Sequence, residues 1–353
     1  MQVAGAKEKK AEPIRLGIIG SGLAVKLLHW PALKKLTDKY RVVVCCDVDP
    51  KAAQEVARLA EQDLNSSGCR VSTDYREVLA ADDVEAVLLS LPIHLTSQFT
   101  LDAVRAGKHV ITEKPLASNL EQGQELVETL RGFSDIKVEV AENYHYRNDF
   151  AKAKEWMAAG RIGQPFMVQM VSRFWTDPAI GFSTTPWRQD NQYRGGIFAD
   201  AGVHQAAALR ELGGEIEQLQ AFAKSVHPVM GGQDTVVLNL RFRSGAIGSL
   251  VFAGAAKDQA GGMSLTDILG TTGAIHLTNG KAVLTEGNGK EAKVVEEYTD
   301  PDHDGGYFAE FENFYHAVRE NAPVISTVEE ALKDWEIIMR ALDSAESRSV
   351  VLL

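Results

Sequence analysis

From residue 14 to about residue 142, short apolar runs alternate with amphipathic stretches. "IRLGIIG" predicts a strand and "LAVKLLHW" a helix halted near Pro31. "YRVVVCCD" predicts a second buried strand, followed by the amphipathic helix "PKAAQEVARLAEQ" with Pro50 in its first turn. The pattern continues as a short helix "YREVLA", a strand "VEAVLLSLP", a helix "LTSQFTLDAVRAG" ending at Gly107, and a strand "HVITEKP". Asn119 then fits the N-cap of "LEQGQELVETLR", and "DIKVEVAENYHYR" predicts one more strand. Strands that are apolar throughout and separated by helices imply a parallel sheet covered on both faces.

The second half has another rhythm. "QPFMVQMVSRFW" predicts a longer strand, and "DTVVLNLRFRSGAIGSLVFAGA" a hairpin turning at Ser244-Gly245. Within it, Val236, Leu238, Leu240 and Phe242 share one face, while Asn239, Arg241 and Arg243 share the other. That alternation belongs to a sheet packed on one side only. "MSLTDILG", "GAIHLTN" and "KAVLTEG" add short strands, and "FAEFENFYHAVREN" and "TVEEALKDWEIIMRALDSA" add helices.

The expected fold is therefore α/β: a Rossmann-type parallel-sheet domain over 1–142, then an α+β domain over 143–353 with a mainly antiparallel, open-faced sheet. Residues 1–12 are expected to form a flexible leader, and the C-terminal helices to pack back on the first domain. The open face predicts a homodimer or homotetramer.

Composition narrows the partners. The chain has 353 residues, 45% hydrophobic, with a net charge of −11. An acidic balance argues against a nucleic-acid surface and against an anionic membrane surface. No apolar run approaches the roughly 20 residues needed to span a bilayer. The N-terminal "MQVAGAKEKKAEP" lacks the apolar core of a secretory signal. Cys45, Cys46 and Cys69 are an odd count without metal-type spacing, so a reducing cytoplasm is expected; Cys45 and Cys46, in an apolar run, read as small buried hydrophobes.

"GIIGSGLAV" supplies candidate chemistry. Gly20 and Gly22 occupy the first two positions of a G-x-G-x-x-G turn between strand and helix, with Val25 at the third. Such a turn lets the backbone of Gly20, Ser21, Gly22, Leu23 and Ala24 approach a pyrophosphate. Asp47 ends the next strand, where a carboxylate accepts from the ribose hydroxyls. At about 4 Å from a 2′-phosphate it would cost about 1 to 4 kcal/mol per unit charge, so the expected cofactor is NAD rather than NADP.

Three further features point to one site. Glu113-Lys114-Pro115 ends a parallel strand, where open α/β sheets bind ligands. Pro115 restricts Lys114 to an extended backbone or a cis bond, and either aims its amine. Asp200 and His204 stand four apart, on one face of a helix. Arg173, Trp175, Trp187 and Arg188 are candidates for a polar, aromatic pocket.

At these residues the chain resembles the glucose–fructose oxidoreductase, inositol dehydrogenase and MocA family of Rossmann oxidoreductases. The resemblance runs from "IRLGIIGSG" to "ALDSAESRSV"; its most specific pieces are "AGKHVITEKPLA" and Gly195-Gly196 followed by Asp200 and His204. It implies that Lys114, Asp200 and His204 are catalytic, and that NAD is held by Gly20 to Ala24, Asp47, Leu91, Pro92, His94, Glu113, Lys114 and Asn143. It also implies that substrate meets Lys114, His145, Arg173, Trp175, Trp187, Arg188, Asp200 and His204.

Oxidising a secondary alcohol removes a hydride from carbon and a proton from oxygen. His204 is suited to the proton, and Lys114 to the developing oxyanion, while either is a candidate principal base. The chain departs from the family pattern at Pro92-Ile93-His94-Leu95-Thr96, where Ile93 and Thr96 replace asparagine and histidine. It departs again at His145 and Arg194, in place of arginine and glycine. These changes bear on substrate identity rather than on reaction class. The expected function is an NAD-dependent dehydrogenase acting on a CH–OH group of a sugar, polyol or similar hydroxylated small molecule. Alternatives are a reductase of a ring or C=C bond, and a dinucleotide sensor without turnover. The retained Lys114, Asp200 and His204 weigh against both. The acidic "DPDHDGGY" around His303 reads as a solvated loop, and no metal is expected.

Overall fold

Two sheets organise the chain, here a computed structural model that describes residues 12–64, 66–189, 193–257, 262–287, 289–301 and 304–353. Residues 1–11 of the expected leader lie outside the described residues, as does His303.

The first sheet holds β1 (Ile14–Ile19), β2 (Tyr40–Cys46), β3 (Arg70–Ser72), β4 (Ala86–Leu89), β5 (His109–Glu113) and β6 (Val138–Ala141). All are parallel, in the order β3-β2-β1-β4-β5-β6. The order reverses between β1 and β4, and that switch point opens a crevice at the strands' carboxyl ends.

Helices α1 (Trp30–Leu33), α2 (Pro50–Asp63), α3 (Tyr75–Ala80), α4 (Ile93–Arg105) and α5 (Leu120–Leu130) connect these strands. The Asp49, Asp74 and Asn119 side chains cap α2, α3 and α5 by accepting from backbone N–H groups at 2.9 Å. Pro31 does not halt the first helical stretch. Residues Val25–His29 form a wide π turn, and Pro31 then sits in the first turn of α1, where its missing N–H costs nothing.

The last strand is shorter than "DIKVEVAENYHYR" suggests. After β6 the Glu142 carboxylate accepts from the Tyr144 N–H at 3.1 Å, and Asn143–Tyr146 coil into a 3₁₀ turn.

The second sheet is built from β7 (Pro165–Arg173), β8 (Ile216–Lys224), β9 (Thr235–Phe242), β10 (Ile247–Ala253), β11 (Met263–Gly270), β12 (Gly273–Thr278), β13 (Lys281–Glu286), β14 (Lys293–Thr299) and β15 (Val351–Leu352). Its order is β14-β13-β12-β11-β7-β10-β9-β8-β15, with β7 and β10 parallel and the other pairs antiparallel. The 235–253 hairpin turns at Ser244-Gly245 as its sequence predicts, and β9 buries Val236, Leu238, Leu240 and Phe242.

One face of this sheet is covered by α6 (Asn148–Ala158), α8 (Gly196–Gly213) and α10 (Val328–Ser347); α7 (Pro186–Gln189) is a single turn above the crevice. Helix α9 (Tyr307–Glu320) returns to the first sheet, where Phe311 and Phe314 share a core with Ile14, Leu16 and Val42. The first turn of α10 adds Val328 and Ala331 to the core on the sheet's opposite face. No helix among the described residues is long and apolar enough to cross a membrane.

Candidate active site

A cavity of about 1050 Å³ occupies the crevice above β1, β4 and β5 and is roofed by residues 174–188 and α8. Its floor begins at the glycine turn. Gly20 has a φ of +89°, and a Cβ there would lie 2.1 Å from the Ser90 carbonyl oxygen, so only glycine fits. A Cβ on Gly22 would meet nothing within 4 Å; the turn is open towards the cavity. Asp47 lines the same end, its two oxygens accepting from Ser21 N at 2.7 Å and Asp49 N at 2.9 Å. An open glycine turn beside a carboxylate at the end of β2 fits a dinucleotide, with its pyrophosphate on the turn and its adenosine ribose at Asp47.

At the far end the Lys114–Pro115 bond is cis, one of the two geometries expected of it. The Lys114 ammonium donates to the Asp200 carbonyl at 2.8 Å and to its carboxylate Oδ1 at 3.3 Å. The other oxygen, Oδ2, accepts from Arg188 Nε at 2.7 Å. Burial pushes the Asp200 carboxyl up, but Lys114 and Arg188 outweigh it and hold the group well below the usual carboxylate range. Asp200 rides on α8, which opens at Gly195-Gly196. These have φ of +100° and +53°, and a Cβ on Gly196 would lie 2.1 Å from the Gly231 carbonyl oxygen. The glycine pair therefore lets α8 start against the 230–232 loop, which places Asp200 and His204 along the cavity wall.

His204 is held from behind. Its Nδ1 lies 2.6 Å from Glu142 Oε1, and its ring stacks on Tyr144 with centroids 4.8 Å apart. The neighbouring strand ends in an acid too: Glu113 Oε1 lies 2.7 Å from Nε2 of the buried His29, whose ring meets Tyr307 and Phe311 edge-on. Burial raises the Glu113 carboxyl, and His29, with Lys114 and His204 behind it, more than compensates, keeping it below its ordinary value. Glu113 thus balances His29 and still lines the cavity.

Most of the site residues expected from sequence meet in this one cavity: Gly20, Gly22, Leu23, Ala24, Asp47, Leu91, Pro92, Glu113, Lys114, Trp175, Trp187, Arg188, Asp200 and His204. Five do not. Ser21 turns its hydroxyl inward, towards the Cys46 carbonyl at 3.4 Å, and its N–H is taken by Asp47. His94 is exposed on the solvent side of the first turn of α4. Asn143 is buried and donates to the Gly305 carbonyl at 2.8 Å.

His145 is clamped behind α8 by Glu211 and Asp334, each at 2.8 Å. Burial disfavours its charge, but these carboxylates prevail and push it up to about 10, so His145 is a buried structural cation rather than a substrate contact. Arg173 falls on the outward face of β7 by simple alternation with the buried Val168, Met170 and Ser172. Phe174, on the inward parity, lines the cavity in its place.

The reading of the sequence missed Glu142, Tyr144, His29 and Phe182. A signal for Glu142 exists: it follows β6 directly, as Glu113 closes β5, and the two strand ends are in register through Glu113 and Ala141. The three cysteines are free thiols, Cys45 and Cys46 buried and Cys69 half-buried, with the Cys45 and Cys69 sulfurs 3.7 Å apart. Among the described residues no cluster of metal-ligating side chains occurs.

Residues 14–141 match the oxidoreductase family model described as an NAD-binding Rossmann fold, and residues 150–276 match the GFO/IDH/MocA C-terminal domain. A solved oxidoreductase from Thermotoga maritima is 33% identical, with a TM-score of 0.85, over 97% of this chain and 98% of that one. The chain belongs to the GFO/IDH/MocA family of oxidoreductases. The resemblance read from "AGKHVITEKPLA" and Gly195-Gly196 holds over both halves of the chain. The myo-inositol 2-dehydrogenase of Thermotoga maritima is 26% identical over 324 residues, which cover 88% of this chain and 90% of that protein. A levoglucosan dehydrogenase solved with NADH and levoglucosan shares the fold at 22% identity and a TM-score of 0.83, over 97% of this chain and 99% of that one. The first half of this family member is thus an NAD-binding Rossmann domain.

Proposed function

We propose that this enzyme moves a hydride between NAD and a secondary alcohol or carbonyl carbon of a sugar, polyol or related hydroxylated small molecule. The observation that carries the proposal is that Lys114, Asp200 and His204 meet at one end of the cavity whose other end is the glycine turn and Asp47. Bound NAD supplies the hydride acceptor. The chain supplies the rest. Lys114 donates to the reacting oxygen and stabilises charge as its proton leaves. His204, with Nδ1 turned to Glu142, offers Nε2 to take that proton. Asp200, ionised between Lys114 and Arg188, holds the ammonium in place and keeps Arg188 on the substrate side. Phe174, Phe182 and Trp187 give the roof an apolar surface, suited to the C–H face of a ring sugar.

The test is NADH formation across a panel of polyols, aldoses and anhydrosugars. Turnover on at least one class supports the reading; tight NAD binding with no turnover on any of them favours the sensor. Asp47→Ala is expected to narrow the ratio of NADP to NAD dissociation constants by about tenfold. An unchanged ratio in a fluorescence titration would refute the role of Asp47.

The same proposal includes a homo-oligomer formed through the outer face of the second sheet, in a reducing cytoplasm. Phe222, Val237, Val251, Val171 and Leu265 form one continuous cross-strand row there, and Ile247, Met167 and Leu269 another. Phe222 is 65% exposed and Ile247 46%. Between these rows runs a polar one, Gln220-Asn239-Ser249-Gln169-Asp267-His276. Apolar rows flanking a polar row suit a second copy of the same face. Val237→Asp is expected to convert the oligomer to monomer by light scattering; a wild-type protein that is already monomeric overturns the idea.

A further inference from the structure

Asp200 and His204 lie one turn apart on α8, but each is engaged by a different group. The Asp200 oxygens serve Lys114 and Arg188. The histidine is served by Glu142, from the turn that follows β6. We infer that Glu142 is the positioning residue of His204. It accepts a hydrogen bond from Nδ1–H, leaves Nε2 as the nitrogen turned to substrate, and balances the imidazolium formed when Nε2 takes the hydroxyl proton. This rests on the reading of His204 as the acid–base group.

Three observations support it. Glu142 is 1% exposed and Oε1 accepts twice, from His204 Nδ1 at 2.6 Å and from the Tyr144 N–H at 3.1 Å, so the oxygen is fixed in direction. Tyr144 covers a flat face of the imidazole at an interplanar angle of 22°, which restrains the ring against rotation. The carboxylate stays ionised despite burial, which alone would raise it; His204 first, then His145 and Lys114, hold it below its ordinary value. The doubly clamped His145 therefore acts one step further back, as a fixed positive charge behind the acid. An acid that fixes the tautomer of a catalytic histidine and meets its charge is a recurring solution to proton transfer.

Glu142→Gln tests the charge alone, because the amide oxygen still accepts from the Tyr144 N–H and from Nδ1–H. We expect kcat for alcohol oxidation to fall about 10- to 100-fold, the worth of a charge-assisted hydrogen bond. The alcohol KM and the NADH dissociation constant should stay within about twofold. The acid limb of the kcat/KM profile should move to lower pH, since an imidazole without its carboxylate is less basic. Nitrogen NMR of labelled histidine should find neutral His204 as the Nδ1–H tautomer in wild type and in Glu142→Gln, with that preference lost in Glu142→Leu. Wild-type kcat and pH profile in Glu142→Gln would reduce Glu142 to a cap on the 3₁₀ turn, and an Nε2–H tautomer in wild type overturns the inference outright. The tautomer is read without substrate, so a protein that oxidises no alcohol defeats the proposed function and still leaves Glu142 to be judged.

Discussion

Lys114→Ala is expected to lower turnover about 100- to 1000-fold, the loss that follows removal of one donor aimed at a developing oxyanion. The NADH dissociation constant should move by no more than about threefold, because the glycine turn and Asp47 are proposed to hold the other end of the dinucleotide. The fold should survive: Lys114 lies on the cavity surface with its side chain 14% exposed, and Asp200 keeps its 2.7 Å bond to Arg188. Stopped-flow or steady-state rates alongside a fluorescence titration separate the two effects. His204→Ala provides the comparison. If Lys114 were the principal base, its loss would also abolish the acid limb of the pH profile, whereas His204 as base leaves that limb in place in Lys114→Ala. Full activity in Lys114→Ala would end the reading of Glu113-Lys114-Pro115 as the reactive end of the site.

The second large effect is on stability. Asp334→Ala is expected to cost about 3 to 5 kcal/mol, because it removes one partner from a buried ionic cluster. Asp334 has no exposed surface; one oxygen accepts from Arg210 at 2.7 Å and the other faces His145 at 2.8 Å. Truncation leaves two buried cations between α8 and α10 with their central counter-ion gone. With an unfolding entropy of about 2.1 cal/mol/K per residue, the melting temperature should fall by about 4 to 7 °C. Calorimetry checks this; a change under 1 °C is inconsistent with an ionic pin. The same cluster gives the wild type a pH signature. The folded His145 is pushed up to about 10, against about 6.5 when unfolded. Its stabilisation is complete below about pH 6.5 and drains away as pH rises towards 10, because the folded state binds the extra proton across that window. His145→Gln should flatten this part of the melting curve against pH.

The fold was legible where burial writes a period into the chain. Apolar strands separated by amphipathic helices give five strands of the parallel sheet, and the alternation in "TVVLNLRF" gives the open-faced one; β3, the three residues "RVS", is too short to carry a period. Strands with little apolar signal were not legible: β14 reads "KVVEEYT" and is mostly exposed, so nothing in its pattern demands a sheet. The site divided in the same way. Residues announced by motif spacing, such as Gly20, Lys114, Asp200 and His204, came to the cavity. Arg173 failed by one residue of strand parity, and His145 because its neighbours in space, Glu211 and Asp334, are 66 and 189 residues away. A polar side chain near a motif carries no mark of which way it will turn; its partners decide, and they are distant in the chain.

The two matched spans stop at residue 141 and resume at residue 150. The stretch between them looks like a connector, yet it supplies Glu142 and Tyr144 to His204, His145 to the ionic cluster and Asp149 to Arg147. Anyone grafting the second half of a relative onto this Rossmann half would choose that stretch as the splice. A splice at residue 141 that brings the relative's own connector would exchange the histidine's support along with the substrate pocket. A splice at residue 150 would keep this support and ask a foreign histidine to fit it. The two chimeras would carry the same named parts and differ in whether the histidine on α8 keeps the acid proposed to position it.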